Sequence, residues 1–218
     1  GSPVNPCGFA IYSGGQPVSG ADLLSGYAVS ANTEIDAQPG ALAGVATISG
    51  TPEYGQTLTA AFSPASGAAP TGLVYTWKRG DMILSAGEGV STYTLTKDDI
   101  GQTVMASVAS PWCTGELASA GMEIAKASVA APEAPICSAQ TETTAQLTGV
   151  SGCEYRVNGG AWQDSTTFAL EKGKTYSFEQ RYSETETAQA SPASPALTLQ
   201  TTAELTGTVS IEGDVRVR

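Results

Sequence analysis

Apolar residues recur at every second position in many short segments of this chain, and nowhere does a helical period persist. "QTLTAAF", "LVYTWKR", "STYTLT", "TVMASVA", "AQLTGV", "EYRVNG", "TYSFEQRY" and "ALTLQT" all follow this rule. A period of two places the apolar side chains on one face of a strand, with the other face left to solvent. Turn-forming clusters separate the segments: "SPASGAAPTG", "RGD", "GEG", "NGG" and "EKGK". The one helical hint, "KDDIG", is a single turn long. Many short strands divided by turns predict an all-β chain built of sandwiches.

The 218 residues suffice for one large domain or two small ones, each with its own core. "LAGVATISG" at 42–50 matches "LTGTVSIEG" at 205–213, with Leu42/Leu205, Gly44/Gly207, Ile48/Ile211 and Gly50/Gly213 in register. Between them, "KASVAAPEAPIC" has the Pro/Ala content of a linker. A repeating unit of 163 residues holding two unlike modules follows, with a second unit starting near the end of the chain.

In the first module, Trp77 is expected to point inward from a third strand and fill the space between two sheets. Tyr93 lies on the strand before the "KDDIG" corner. Either Asp98 or Asp99 can hydrogen-bond its own backbone there, ahead of a glycine free to take positive φ. Leu58 and Val104 or Ala106 occupy the positions where an immunoglobulin domain carries its inter-sheet disulfide, so apolar packing must hold this module. The run "VATISGTPEYGQTLTA … YTWKRGD … YTLTKDDIGQTV" resembles the Ig-like repeats of bacterial cell-surface proteins, above all large Gram-positive ones. The next module, with "CEYRVNGGAWQDSTTF", "LEKGKTYSFEQRY" and "ASPASPALTLQT", resembles a fibronectin type III-like repeat. Leu170-x-x-Gly173-x-x-Tyr176 is similar to the tyrosine corner of that fold, with Lys172 where proline is common. The resemblance implies tandem Ig-like and fibronectin type III-like β-sandwiches. Residues 1–40 read as a β extension or the tail of a preceding domain, 41–127 as the Ig-like sandwich and 128–202 as the fibronectin type III-like one. Residues 203–218 read as the first strand of the next Ig-like repeat. Proteins with such modules use them as spacers, for adhesion, or as accessories to a catalytic domain elsewhere.

Charge and composition narrow the function. A net charge of −11 disfavours nucleic acid. No run of eighteen apolar residues offers a membrane span. No signal peptide is visible, and the chain reads as a segment of a longer extracellular or cell-surface protein. Histidine is absent, which removes the commonest general base and metal ligand. No nucleophile with a nearby base and no glycine-rich phosphate loop is seen, so no catalytic residue, cofactor or metal is expected. "TKDDIG" lacks the alternating oxygen ligands of a calcium loop. Glu154 and Asp164 could imitate a glycosidase pair, but a narrow sandwich has no cleft for a sugar. Arg79-Gly80-Asp81 is a three-residue match at a strand end, where a turn is expected anyway.

Four cysteines at wide spacing, Cys7, Cys113, Cys137 and Cys153, fit disulfides in an oxidising compartment, with free thiols as the alternative. Cys137 starts the first strand of the second module and Cys153 its third, at one end of the sandwich. That makes Cys137–Cys153 reasonable, closing a loop worth roughly 3 kcal/mol. Cys7–Cys113 follows by elimination, although three connectivities exist in principle. Trp112, beside Cys113 in "SPWCTGE", is the candidate recognition residue, either stacking on a ligand or covering a neighbouring segment. Trp162 is expected in the core or half-buried on a strand. The expected partners are neighbouring repeats of the same chain, with a cell-wall or host glycan or protein as a further partner. The expected state is a monomer acting as a non-catalytic spacer. An adhesin or carbohydrate-binding module and the accessory domain of a secreted hydrolase are the alternatives.

Overall fold

The computed structural model describes residues 9–13, 16–18 and 35–202, with side chains from residue 39 onward. Cys7 and the repeated segment 203–218 lie outside the described residues. The chain divides into two compact units, 1–127 and 128–218. The described residues form antiparallel sheets and no α-helix.

The first unit starts with a small sheet of β1 (Phe9–Ser13), β2 (Gln16–Val18) and β3 (Ile35–Pro39), in the order β2-β1-β3. A sandwich follows. One sheet orders β4 (Gly44–Ser49), β5 (Thr57–Pro64) and β8 (Thr92–Thr94) as β4-β5-β8. The facing sheet contains β6 (Val74–Arg79), β7 (Met82–Glu88), β9 (Thr103–Ala109) and β10 (Glu116–Ala118) in the order β10-β9-β6-β7. β11 (Met122–Glu123) pairs further along β9.

The alternation in sequence explains this core. Leu58 and Ala60 of β5 face Tyr75 and Trp77 of β6 and Val104, Ala106 and Val108 of β9 across the interior. Trp77 is fully buried and stacks on Tyr93 with ring centres 5.7 Å apart. Its indole nitrogen donates to the Val90 carbonyl at 3.2 Å, so burial leaves no donor unpaired.

The second unit packs β12 (Cys137–Gln140), β13 (Thr144–Leu147) and β15 (Thr167–Ala169) against β14 (Cys153–Val157), β16 (Thr175–Tyr182) and β17 (Leu197–Gln200). The sheet orders are β12-β13-β15 and β14-β16-β17. Ala145, Leu147, Tyr155, Phe168, Leu170 and Phe178 form its core, with Phe168 set edge-on to Phe178 at 5.2 Å.

Both units break their last strand with a buried serine. Ser119 donates its N–H to the Ala106 carbonyl, and its hydroxyl accepts the Ala106 N–H. Ser191 does the same with Tyr182, and Ser194 with Gln180. The chain turns away after each serine, and the hydroxyl replaces the carbonyl that no longer reaches the ladder. Each hydroxyl then donates to the carbonyl of the next residue, at 2.9 Å.

The expected Cys137–Cys153 bridge is corrected: both are free thiols. Cys137 lies on β12 and its thiol donates to the Ala139 carbonyl at 3.2 Å, whereas Cys153 lies on β14 in the opposite sheet, facing the core. The Cys137 thiol is thus turned back on its own strand while Cys153 points into the core, so the two sulfurs are not aimed at one another as a disulfide requires. Sharing one end of a sandwich does not by itself aim two side chains at each other. Cys113 is disulfide-bonded, but the Cys7 half of the expected pair falls outside the described residues.

Candidate recognition site at one end of the first unit

Most polar side chains singled out from the sequence hold the fold. Between β8 and β9, Thr96 starts a single 3-10 turn, Lys97–Asp99. Asp99, and not Asp98, caps it: one carboxylate oxygen accepts the Thr96 N–H and hydroxyl at 2.8 Å each and the Tyr93 hydroxyl at 2.9 Å. Its other oxygen accepts the Arg79 guanidinium at 2.9 Å. Burial alone would raise the Asp99 pKa. The Thr96 backbone and hydroxyl donors, the Tyr93 hydroxyl and the Arg79 charge outweigh it and hold the carboxyl below its ordinary value. Tyr93 is pushed up, by burial first and then by its hydrogen bond to Asp99. Gly101 follows at φ 73°, a left-handed conformation that glycine adopts without strain.

The equivalent corner of the second unit uses Tyr176, whose hydroxyl accepts the Glu171 N–H at 2.7 Å. Leu170 is buried beside it and Gly173 takes φ 70°. Asn158 turns the "NGG" hairpin at φ 50°, its side chain accepting the Ser177 N–H at 2.9 Å.

Several surface readings lose their chemistry here. Arg79-Gly80-Asp81 does occupy a tight turn between β6 and β7, yet the arginine is tied to buried Asp99 and cannot be presented with the aspartate. Glu154 is paired with Arg181 at 2.6 Å, while Asp164 stands in solvent. Among the described residues no group of His, Cys, Asp or Glu could hold a metal ion, and no helix is long and apolar enough to cross a membrane.

The three tryptophans have different surroundings. Trp77 is core. Trp162 is half-buried beside the outer face of β14 and β16, with the guanidinium carbons of Arg156 and Arg181 each 4.4 Å from its ring centre. Those arginines pair with Glu179 and Glu154 at 2.7 and 2.6 Å, so the indole is clamped into a neutral quartet. Trp112 is open, with 49% of its surface exposed. The sequence did not signal the arginine clamp, because its members meet only through strand pairing.

Trp112 sits on the 110–115 connection between β9 and β10. The pairing of Val74 with both Glu88 and Ala109 places this connection at the same end as the 65–73 and 89–91 loops. Ser110 organises it: its hydroxyl accepts the Trp112 N–H and donates to the Thr71 carbonyl, and its own carbonyl accepts the Cys113 N–H. Thr114 pairs with residues on both sides of Ala41. A nearby cleft of about 120 Å³ is lined by Ala41, Leu42, Pro64, Ser66, Ala68 and Pro70. That is well below the several hundred Å³ that enclose a small molecule. A larger opening in the second unit, about 370 Å³, is lined by Ser128, Val129, Gln189, Ala190, Ser191 and Pro192 and holds no ionisable group. This loop end offers one ordered aromatic platform, and the exposed Glu88 carboxylate lies near Gly72 at the same end. Trp112 and Trp162 belong to different units, and the side chain of Tyr12, the third aromatic that a shared binding face would call on, lies outside the described residues.

No family model matches the chain, and no curated protein does. Among solved structures, the chicken CNTN1 FN1-FN3 domains match over 78% of this chain and 70% of theirs, at 12% identity and a TM-score of 0.28. A likeness so loose carries no argument about function.

Proposed function

We propose that this chain is a non-catalytic structural segment of a secreted or cell-wall-associated bacterial surface protein, a spacer between other parts of that protein. One observation carries the reading: each unit has its own sealed core, and its polar side chains are spent on strands and corners. Asp99, Arg79, Ser119, Tyr176, Ser191, Ser194 and the Arg–Glu pairs all have fold-internal partners. Modules of this kind fold independently and resist disruption through non-local strand pairing.

An adhesive or carbohydrate-binding role is the second reading, favoured by Trp112 alone. An indole open on a loop held by its own hydrogen bonds loses little freedom when it stacks on a ligand. An accessory role beside a catalytic domain elsewhere is compatible with the same features. The deciding experiment screens the protein against glycans, mucin and matrix proteins, with Trp112→Ala alongside. The spacer reading expects no saturable binding by either protein. Binding that disappears with Trp112→Ala would replace it with the recognition reading.

A further inference from the structure

The Pro/Ala run read as a linker is docked over its second half. Residues 129–136, "VAAPEAPI", belong to the second unit and form no strand. Val129 is half-buried, and Pro132 and Pro135 are buried. Ala134 is half-buried beside them, while Ala130, Ala131, Glu133 and Ile136 are exposed. The deepest positions thus recur every third residue, the repeat of a polyproline II helix lying on one edge.

Little holds this strap. Among the described residues, 129–136 donate no backbone hydrogen bond and accept two. The Gln180 side-chain amide donates through Nε2 to the Glu133 carbonyl at 2.8 Å, and the Thr148 N–H donates to the Ile136 carbonyl at 2.7 Å. The Gln180 clamp is itself incomplete. Its residue is 3% exposed, and its Oε1 is buried without a hydrogen-bond partner. Nε2 and Oε1 are two ends of one amide, so lifting the strap off the first opens the second to water. Closure leaves one buried acceptor unmet, and release satisfies both ends. Packing is loose where the strap begins. The opening of about 370 Å³ is lined there by Ser128 and Val129, with Gln189, Ser191 and Pro192 across from them. Groups that border a void forfeit the contacts a filled site would give them.

We infer that 129–136 is a releasable strap: it lifts from the folded second unit and closes again, giving the joint ahead of that unit a short and a long form. The chain is anchored on the first unit as far as Ala125, whose N–H donates to the Pro52 carbonyl and whose carbonyl accepts the Tyr54 N–H. Release adds eight residues to the segment beyond it, roughly 25 Å at the polyproline rise of about 3.1 Å per residue. The prolines keep the freed segment extended, so little conformational freedom is gained on release or lost on return. Use of the long form as slack in a spacer rests on the proposed function; the strap itself does not.

Native-state amide exchange of the full chain, followed residue by residue by NMR, tests this. The Thr148 N–H reports the strap. The Leu147 N–H, which donates to the Thr166 carbonyl at 2.9 Å, reports the unit beside it. Thr148 should exchange at least about tenfold faster than Leu147, and Pro132→Ala should speed Thr148 at least about fivefold more with Leu147 unchanged. Equal rates in the unaltered protein would overturn the inference, because the strap would then open only with the whole unit. So would a Pro132→Ala protein in which both amides speed up together. One in which neither changes would also overturn it, by showing that the chain beyond β13 frays without the strap. Each of these failures leaves the spacer reading to be decided by the binding screen.

Discussion

The two units close the same corner with different chemistry. In the first, the connection from β8 to β9 is held by a buried carboxylate with an arginine, a phenol and two donors from Thr96. In the second, the connection from β15 to β16 is held by the Tyr176 phenol on the Glu171 N–H and by the buried Thr201 hydroxyl, which accepts the Lys174 N–H and donates to the Glu171 carbonyl. Both then release the chain through a glycine with φ near 70°. The charged solution links three segments, since Arg79 ends β6, Tyr93 lies in β8 and Asp99 precedes β9. The second solution also reaches beyond the corner, to Thr201 after β17 and through Lys172 to Glu142, but it buries no charge. A buried ion pair is costly to break and contributes modestly when intact, whereas a phenol hydrogen bond is cheap on both counts. The first unit therefore depends more steeply on single side chains and on pH.

The cores set the largest effect. Trp77→Ala should cost the first unit about 3–5 kcal/mol, leaving the second unit's amide protection in place by hydrogen exchange. If both units lost protection together, comparing them as separate bodies would fail. At the corners, Asp99→Ala should cost about 3 kcal/mol by stranding Arg79, against about 1 kcal/mol for Tyr176→Phe. Urea titration of each variant measures the gap, and equal losses would erase the contrast.

Acid sharpens it further. An unfolded aspartate titrates near about 3.9, and Asp99 sits lower in the fold, so its stabilisation is complete above about pH 4. That contribution is lost as pH falls through the folded value, and the first unit should destabilise on that limb. Asp99→Asn should flatten the limb in unfolding midpoints taken from about pH 5 to about pH 2. The smallest difference lies within the second unit. Cys137 is half-buried, while burial pushes the Cys153 thiol up and keeps it protonated. Maleimide should label Cys137 first by intact mass, and equal rates would show that the β14 face opens.

What was legible in the sequence follows from what repeats. Inward faces at Leu58, Trp77, Val104, Tyr155 and Phe178 show through the alternation, since every strand of a sandwich hides one face. The corners show through "DDIG" and the Leu170–Gly173–Tyr176 spacing, because each is made within a few residues. Partnerships across the fold left no local trace. Arg79 and Asp99 are 20 positions apart, and nothing near either names the other. Ser119, Ser191 and Ser194 look like any serine until the strand beside them is known. The cysteines misled for the same reason: chain position placed them at one end, and only the fold turns Cys137 onto its own strand and Cys153 into the core.

The serine breaks change how the end of the second unit should be treated chemically. "SPASPALT" has the composition of a flexible, heavily modified stalk, with two Ser-Pro steps of the kind favoured by proline-directed kinases and O-glycosylating enzymes. Ser191 and Ser194 are buried, and each hydroxyl already accepts a backbone N–H and donates to a proline carbonyl. A transferase would have to peel this segment from β16 before reaching either oxygen. An attached group would then block its return, so modification there would report an unfolded chain and not decorate a folded one.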